Sequence, residues 1–248
     1  MNAAGFFAAY DAFGERRTGG AGDATSARWL CGLAATAGAA AALAPVAFTR
    51  FLPGEARLEV AERAIEGLPL FDGGTTTPAG IAGQLGPLGS AVPIGVIEMP
   101  PRAASLPGNP FAAARRDSRH AAIVVALRTQ PDSLAPLNAH DSEAPFGPPV
   151  LQVAGREAPA LLALAAHGAS ARLIVTGGRE AGRSHSVRAD LAGQTPPLLL
   201  LTPRTSWWTS TAERAGGILA CSPRCRHWPP RRHAGTPARG GRAGNLRA

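Results

Sequence analysis

Lysine is absent from this chain of 248 residues, and all 25 basic residues are arginine. Ala, Gly, Pro and Arg share GC-rich codons, so the absence reads first as codon bias rather than as arginine-specific recognition. Aromatic residues are scarce at 5%, yet 45% of the chain is hydrophobic, mostly Ala and Leu. That is enough apolar surface to bury a core and excludes a disordered chain by composition. Three cysteines are too few for a disulfide framework in a chain of this length. Long apolar runs are also missing. The longest, 33–48, is broken by Gly38 and Pro45, whereas a membrane helix needs about 20 apolar residues. The first residues carry no basic segment and include Asp11, which is unlike a secretory signal. The expectation is a soluble, cytoplasmic protein with no membrane partner.

Acidic residues run out after Glu213. Beyond residue 221 there are seven arginines and no carboxylate, so the net charge of +8 falls to about +1 for the rest of the chain. A nearly neutral body excludes the basic groove of a nucleic-acid-binding domain. The tail at 221–248 reads as a disordered Arg/Pro/Gly-rich segment. Its only expected affinity is nonspecific, salt-sensitive binding of anions or nucleic acid.

Along the chain, Phe6, Phe7, Tyr10 and Phe13 lie on one face of a helix at 3–13. Asp23, Thr25 or Ser26 can cap a second helix at 24–37, with Gly38 as its stop. Residues 43–51 look extended. Short strands follow at 56–60, 64–70, 80–85 and 93–98, separated by Gly, Pro and Ser turns. Residues 111–120 read as a polar helix or turn, and 121–127 as a β-branched strand. The clearest unit is a strand at 149–153, a helix at 156–166 ended by Gly168, and a strand at 171–176. A linker at 177–186 and strands at 187–191 and 198–202 complete the pattern. The run 198–201 is solidly apolar, as in a strand buried on both faces.

Several segments resemble one family. The Glu-Arg-Arg-Thr-Gly-Gly stretch (15–20), Ala-Arg-Trp-Leu (27–30) and Val-Ala-Phe-Thr-Arg-Phe (46–51) are similar to the opening of co-catalytic zinc aminopeptidases. Leu-Pro-Leu-Phe-Asp-Gly-Gly (68–74) and Gly-Pro-Pro-Val-Leu-Gln-Val-Ala-Gly (147–155) resemble the protease-associated (PA) domain inserted in that family. The resemblance implies an α/β or α+β fold. It comprises an incomplete aminopeptidase-like mixed sheet (1–62 and 186–220) and a β-rich PA-like insert (63–185).

It also implies a hydrolysis centre with two zinc ions, and here the chain departs from the pattern. The family's first ligands follow the apolar strand as His-x-Asp. This chain has Thr202-Pro203-Arg204-Thr205-Ser206-Trp207-Trp208, and Glu213 is the nearest carboxylate. The implied reading is a truncated or degenerate relative without catalytic or metal-binding residues, without a cofactor, and inactive as it stands. The alternative is a non-catalytic PA-like module that binds a peptide or protein. Arg204, Trp207, Trp208 and Glu213 are its ligand-facing candidates, at the C-terminal end of a strand where open α/β sheets bind ligands.

Other constellations are bland. Cys221, Cys225, His227 and His233 lack the spacing of a zinc finger. Ser184 and His185 are adjacent on a strand and therefore face opposite ways, which argues against a hydrolase triad with Asp190. Gly83, Gly86 and Gly89 lack the rest of a phosphate loop. The abrupt change of composition near residue 220 fits either an out-of-frame reading or a genuine tail.

Overall fold

The computed structural model describes residues 2–101, 108–117, 119–129, 133–134, 136–137, 144–193, 199–206 and 217–218. They form a mixed α/β fold of four helices and an eight-stranded mixed sheet. Helix α1 (Ala3–Asp11) is capped by the Asn2 side chain, which accepts from the Gly5 N–H at 2.8 Å. Helix α2 (Ala21–Thr36) starts three residues earlier than the capping pattern suggests. Gly20 is its cap, and Asp23 sits in the first turn, accepting from the Gly19 N–H at 2.7 Å.

Strand β1 (Ala40–Val60) and strand β8 (Ser170–Asp190) are each 21 residues long. They pair antiparallel from Ala40 opposite Asp190 to Val60 opposite Ala171, with a register shift between Pro53 and Ala56. This corrects two expectations. The extended piece at 43–51 and the strand at 56–60 are one strand, and the linker at 177–186 is the middle of its partner. Gly177 and Gly178 looked like breakers. An added Cβ at Gly177 would lie 2.5 Å from the Phe51 ring, so glycine there lets the ring lie flat against the neighbouring backbone.

Between these strands run β2 (Arg63–Glu66), β3 (Leu68–Pro69), β4 (Ile81–Pro87), β5 (Ile94–Met99), helix α3 (Pro110–Asp117), β6 (Ala122–Leu127), β7 (Val150–Ala154) and helix α4 (Ala158–Ala166). The strand order is β2-β1-β8-β4-β5-β6-β7-β3. Pairings β4–β5, β5–β6 and β6–β7 are parallel. Residues 81–84 of β4 pair with β8, and 85–87 pair with β5, so this strand carries the sheet round a corner.

All six residues of β6 are buried because both faces are covered. Ala122, Val124 and Ala126 face the larger core, with Leu58, Leu85, Ile94, Leu151 and Leu173 and with Leu161 of α4. Ile123, Val125 and Leu127 face a second core closed by Phe111 of α3 and by Leu137 and Val150. Each fully buried aliphatic side chain of this size contributes about 1.5–3 kcal/mol. His120 secures the β4–β5 connection: its ring lies 2.8 Å from the Val92 carbonyl oxygen, and its Nε2 accepts from the Gly89 N–H at 2.9 Å.

The apolar run near residue 200 is a further correction. Leu199, Leu200 and Leu201 form no strand and are 78%, 56% and 83% exposed. A central strand needs ladder partners on both edges, and none pairs with this run among the described residues. No helix among the described residues is long and apolar enough to cross a membrane. The expected tail at 221–248 lies outside the described residues.

The β1–β2 hairpin turns through Ala61 and Glu62, both with positive φ (49° and 59°). Two-residue hairpin loops of this kind favour Asn-Gly, since most L-residues are strained there. The double substitution Ala61→Asn, Glu62→Gly is expected to stabilise the fold by about 1 kcal/mol. The urea midpoint should rise with the slope unchanged, and a lower midpoint would contradict the turn assignment.

Candidate functional site

Among the described residues, two places bring buried charged side chains together. The first joins the N-terminal helices, the outer half of β8 and the segment 202–206. Arg204 lies at its centre, with its side chain 10% exposed. Its Nη1 donates to the Asp23 carbonyl (2.7 Å) and to Ser26 Oγ (3.1 Å), and its Nη2 donates to the His185 carbonyl (2.7 Å). The same Nη2 is ion-paired with Asp23 Oδ1. Asp23 Oδ2 accepts from Ser184 Oγ at 2.6 Å. Gly22 makes this geometry accessible, since an added Cβ would sit 2.2 Å from the Glu15 carbonyl oxygen.

A second arginine supports the first. Arg16 is fully buried, donates to the Gly14 carbonyl at 2.7 Å, and lies 4.3 Å over the Tyr10 ring. The Ser206 N–H donates to the Arg16 carbonyl, and the Tyr10 hydroxyl donates to the Arg204 carbonyl at 2.6 Å. Tyr10 packs among Phe6, Phe13 and Trp29. Burial pushes its hydroxyl pKa above the ordinary value, against the opposing pull of Arg16.

The second place is a cleft of about 380 Å³ where β1 and β8 leave the core and continue as a two-stranded ribbon. Phe51 and Phe146 stand in its walls, and glycine backbone at 73–74, 147 and 177–178 lines much of the rest. Its floor is held by a buried pair. Arg115 Nη2 donates to Asp72 Oδ1 (2.9 Å), the Asp72 carbonyl (3.0 Å) and the Phe146 carbonyl (3.0 Å). The guanidinium also lies 4.0 Å over the Phe146 ring. Burial pulls its pKa below the ordinary range, and Asp72 opposes that pull. Gly147 has φ +77°, and an added Cβ would meet the Arg115 carbonyl oxygen at 2.6 Å. At the rim, Arg179 lies 5.3 Å over the Phe51 ring and donates to the Phe71 carbonyl.

Of the sequence-based candidates, Arg204 is placed facing inward, binding α2 to β8. Trp207, Trp208 and Glu213 lie outside the described residues, as does the Cys/His group of the tail. Ser184, His185 and Asp190 do not form a triad. Ser184 hydrogen-bonds Asp23, only the carbonyl of His185 engages Arg204, and Asp190 accepts from Arg188 at 2.8 Å. The cleft was missed because its residues are far apart in sequence. Its one local signal is the pair of Gly-Gly steps at 73–74 and 177–178.

No family model matches the chain, and no curated protein matches it in sequence. In fold it is similar to solved aminopeptidases. An aminopeptidase from Aneurinibacillus sp. strain AM-1 aligns with a TM-score of 0.57 and 16% identity, over 79% of this chain and 49% of its own. A zinc aminopeptidase from Bacillus subtilis aligns with a TM-score of 0.53 and 18% identity, over 75% and 46%. A peptidase M28 precursor from Shewanella amazonensis aligns with a TM-score of 0.54 and 13% identity, over 75% and 49%. At such identities the likeness is one of fold, and this chain spans about half the length of the structures it matches.

The described donors do not assemble a site for the zinc named for the Bacillus enzyme. Among the described residues no three His, Cys, Asp or Glu side chains come together. The two buried carboxylates among the described residues, Asp23 and Asp72, are each paired with an arginine.

Asp23→Ala strands the Arg204 guanidinium in a nearly buried site. It is expected to cost about 3–5 kcal/mol in urea unfolding, and a loss under 1 kcal/mol would contradict the account. The chain has one tyrosine, so tyrosinate absorbance reports Tyr10 alone. The folded protein should titrate above the ordinary value of 10, and the urea-unfolded chain at that value. A folded pKa above the unfolded one means that this contribution to stability is complete below pH 10. It is lost as pH rises through the folded pKa. Coincident folded and unfolded titrations would show that the hydroxyl is not buried.

Proposed function

We propose that this chain is a degenerate relative of a zinc-dependent aminopeptidase and that its 248 residues carry no hydrolytic centre of their own. The fold likeness to solved aminopeptidases, TM-score 0.57 for the Aneurinibacillus enzyme, carries the relationship. Two features support the inactive reading. The position where the resemblance expects the first ligands is Pro203-Arg204, and the Arg204 guanidinium is enclosed beside Asp23. Proline offers no donor to a metal, and a cation at this point repels one. No step through zinc is therefore assigned to this chain.

A second reading is that of a non-catalytic binding module in which the β-rich part, 63–185, acts as a PA-like lobe. The cleft at the root of the ribbon favours it, because the Arg115–Asp72 pair braces its Phe146 wall and, among the described residues, no nucleophile paired with a base lines it. A binding module must hold its shape in solution, so this reading expects a cooperative thermal transition.

The decisive test is to purify the full chain from zinc-supplemented medium, measure its metal content, and assay leucine p-nitroanilide hydrolysis. The expected result is substoichiometric zinc and no turnover above buffer. Stoichiometric zinc together with chelator-sensitive turnover overturns the inactive reading.

A further inference from the structure

We propose that the pocket around Asp23 is a guanidinium-binding site that the chain fills in cis with Arg204, and that it takes an arginine side chain supplied in trans once Arg204 is withdrawn. The proposal goes beyond the readings above and does not rest on the binding-module one.

The first observation is how completely the pocket reads a guanidinium. Arg204 Nη1 donates to the Asp23 carbonyl at 2.7 Å and to Ser26 Oγ at 3.1 Å. Nη2 donates to the His185 carbonyl at 2.7 Å and is ion-paired with Asp23 Oδ1. Each terminal nitrogen carries two hydrogens, so four acceptors meet four donors. They come from helix α2 and strand β8, two elements that hold their backbone independently of residue 204. A lysine ammonium has three donors on one atom and cannot span this set.

The acceptors are also fixed by contacts that do not involve Arg204. Asp23 Oδ2 accepts from the Gly19 N–H at 2.7 Å and from Ser184 Oγ at 2.6 Å. The Ser26 hydroxyl donates to the Asp23 carbonyl at 3.1 Å, which leaves its oxygen facing the guanidinium as an acceptor. Asp23 is 1% exposed and Ser26 fully buried. A pocket built in advance lowers the ordering cost of binding, and a buried carboxylate left without its cation favours a replacement.

The cis occupant is held mainly by polar contacts. Leu199, Leu200, Leu201 and Pro203 are exposed, and the described contacts of residue 204 are those of its guanidinium and of its carbonyl, which accepts from Tyr10. The segment thus presents one arginine to a ready-made pocket, as a peptide ligand would. A flexibly tethered group competes at an effective concentration on the order of millimolar, so the site is read most directly when Arg204 is removed.

The test is thermal melting of the full chain carrying Arg204→Ala, with N-acetyl-argininamide up to 50 mM at constant ionic strength and N-acetyl-lysinamide as control. The variant should melt below wild type. The arginine probe should raise its midpoint saturably, by about 3–6 °C at ten times the half-saturating concentration, and the lysine probe should not. Adding Asp23→Asn to the variant should weaken the arginine response about tenfold or more.

If Arg204→Ala shows no cooperative transition, Arg204→Lys, which keeps a cation beside Asp23, is titrated in its place. No response to the arginine probe, an equal response to both probes, or a response undiminished by Asp23→Asn overturns the proposal. So does the lack of a cooperative transition in both variants at the highest probe concentration.

Discussion

The ladder between β1 and β8 carries backbone pairing from Val60 and Ala171, beside the core, out to Ala40 and Asp190 beside the helices. It links the larger core to the N-terminal helices. At its inner end, Leu58 and Leu173 belong to the larger core. At its outer end, α2 lies against both strands, and Ser184 and His185 supply partners to Asp23 and Arg204. The cleft sits between these regions, where Phe51 crosses Gly177. A change of register here would misplace the hydrophobic face at one end and the polar partners at the other.

Two buried arginine–aspartate pairs repeat one device. Asp23 with Arg204 ties a late segment of the chain to an early helix, and Asp72 with Arg115 ties a loop to helix α3 beside the cleft. Neither pair is a strong source of net stability, because both partners lose hydration on burial. What they contribute is uniqueness. Both guanidiniums also donate to backbone carbonyls, and the Asp23 carboxylate also accepts from the Gly19 N–H and the Ser184 hydroxyl, so an alternative packing would leave a charge buried without partners.

Much of the β-rich region was legible from local pattern. The strand at 121–127, the strand–helix–strand unit at 149–176 and the turns after 85 all appear close to where apolar runs and glycines place them. The ribbon was not legible, since Pro45, Pro53, Gly177 and Gly178 are local breakers and only the long-range partner makes them strand residues. The leucine run near 200 misled in the opposite sense: its composition suits a buried strand, but the described fold offers it no neighbours. Arg204 stood out in the sequence, but its direction depends on Asp23, 181 residues away in the chain. The cleft depends on contacts such as Arg179 to Phe71, separated by 108 residues.

The length of the ribbon also sets an order of events in folding. Its two strands are held together across 121 residues of sequence at Glu55 and Thr176. Closing so large a loop is slow unless the chain between has already condensed. The β-rich part must therefore form first and bring β8 alongside β1, after which the outer pairs can zip toward Ala40. Helix α2 lies against both strands, and its contacts with β8 cannot form before β8 is in place. Asp23 must wait in water for Ser184 and Arg204, which are translated long after it, so the polar contacts of an early helix are among the last to find their place.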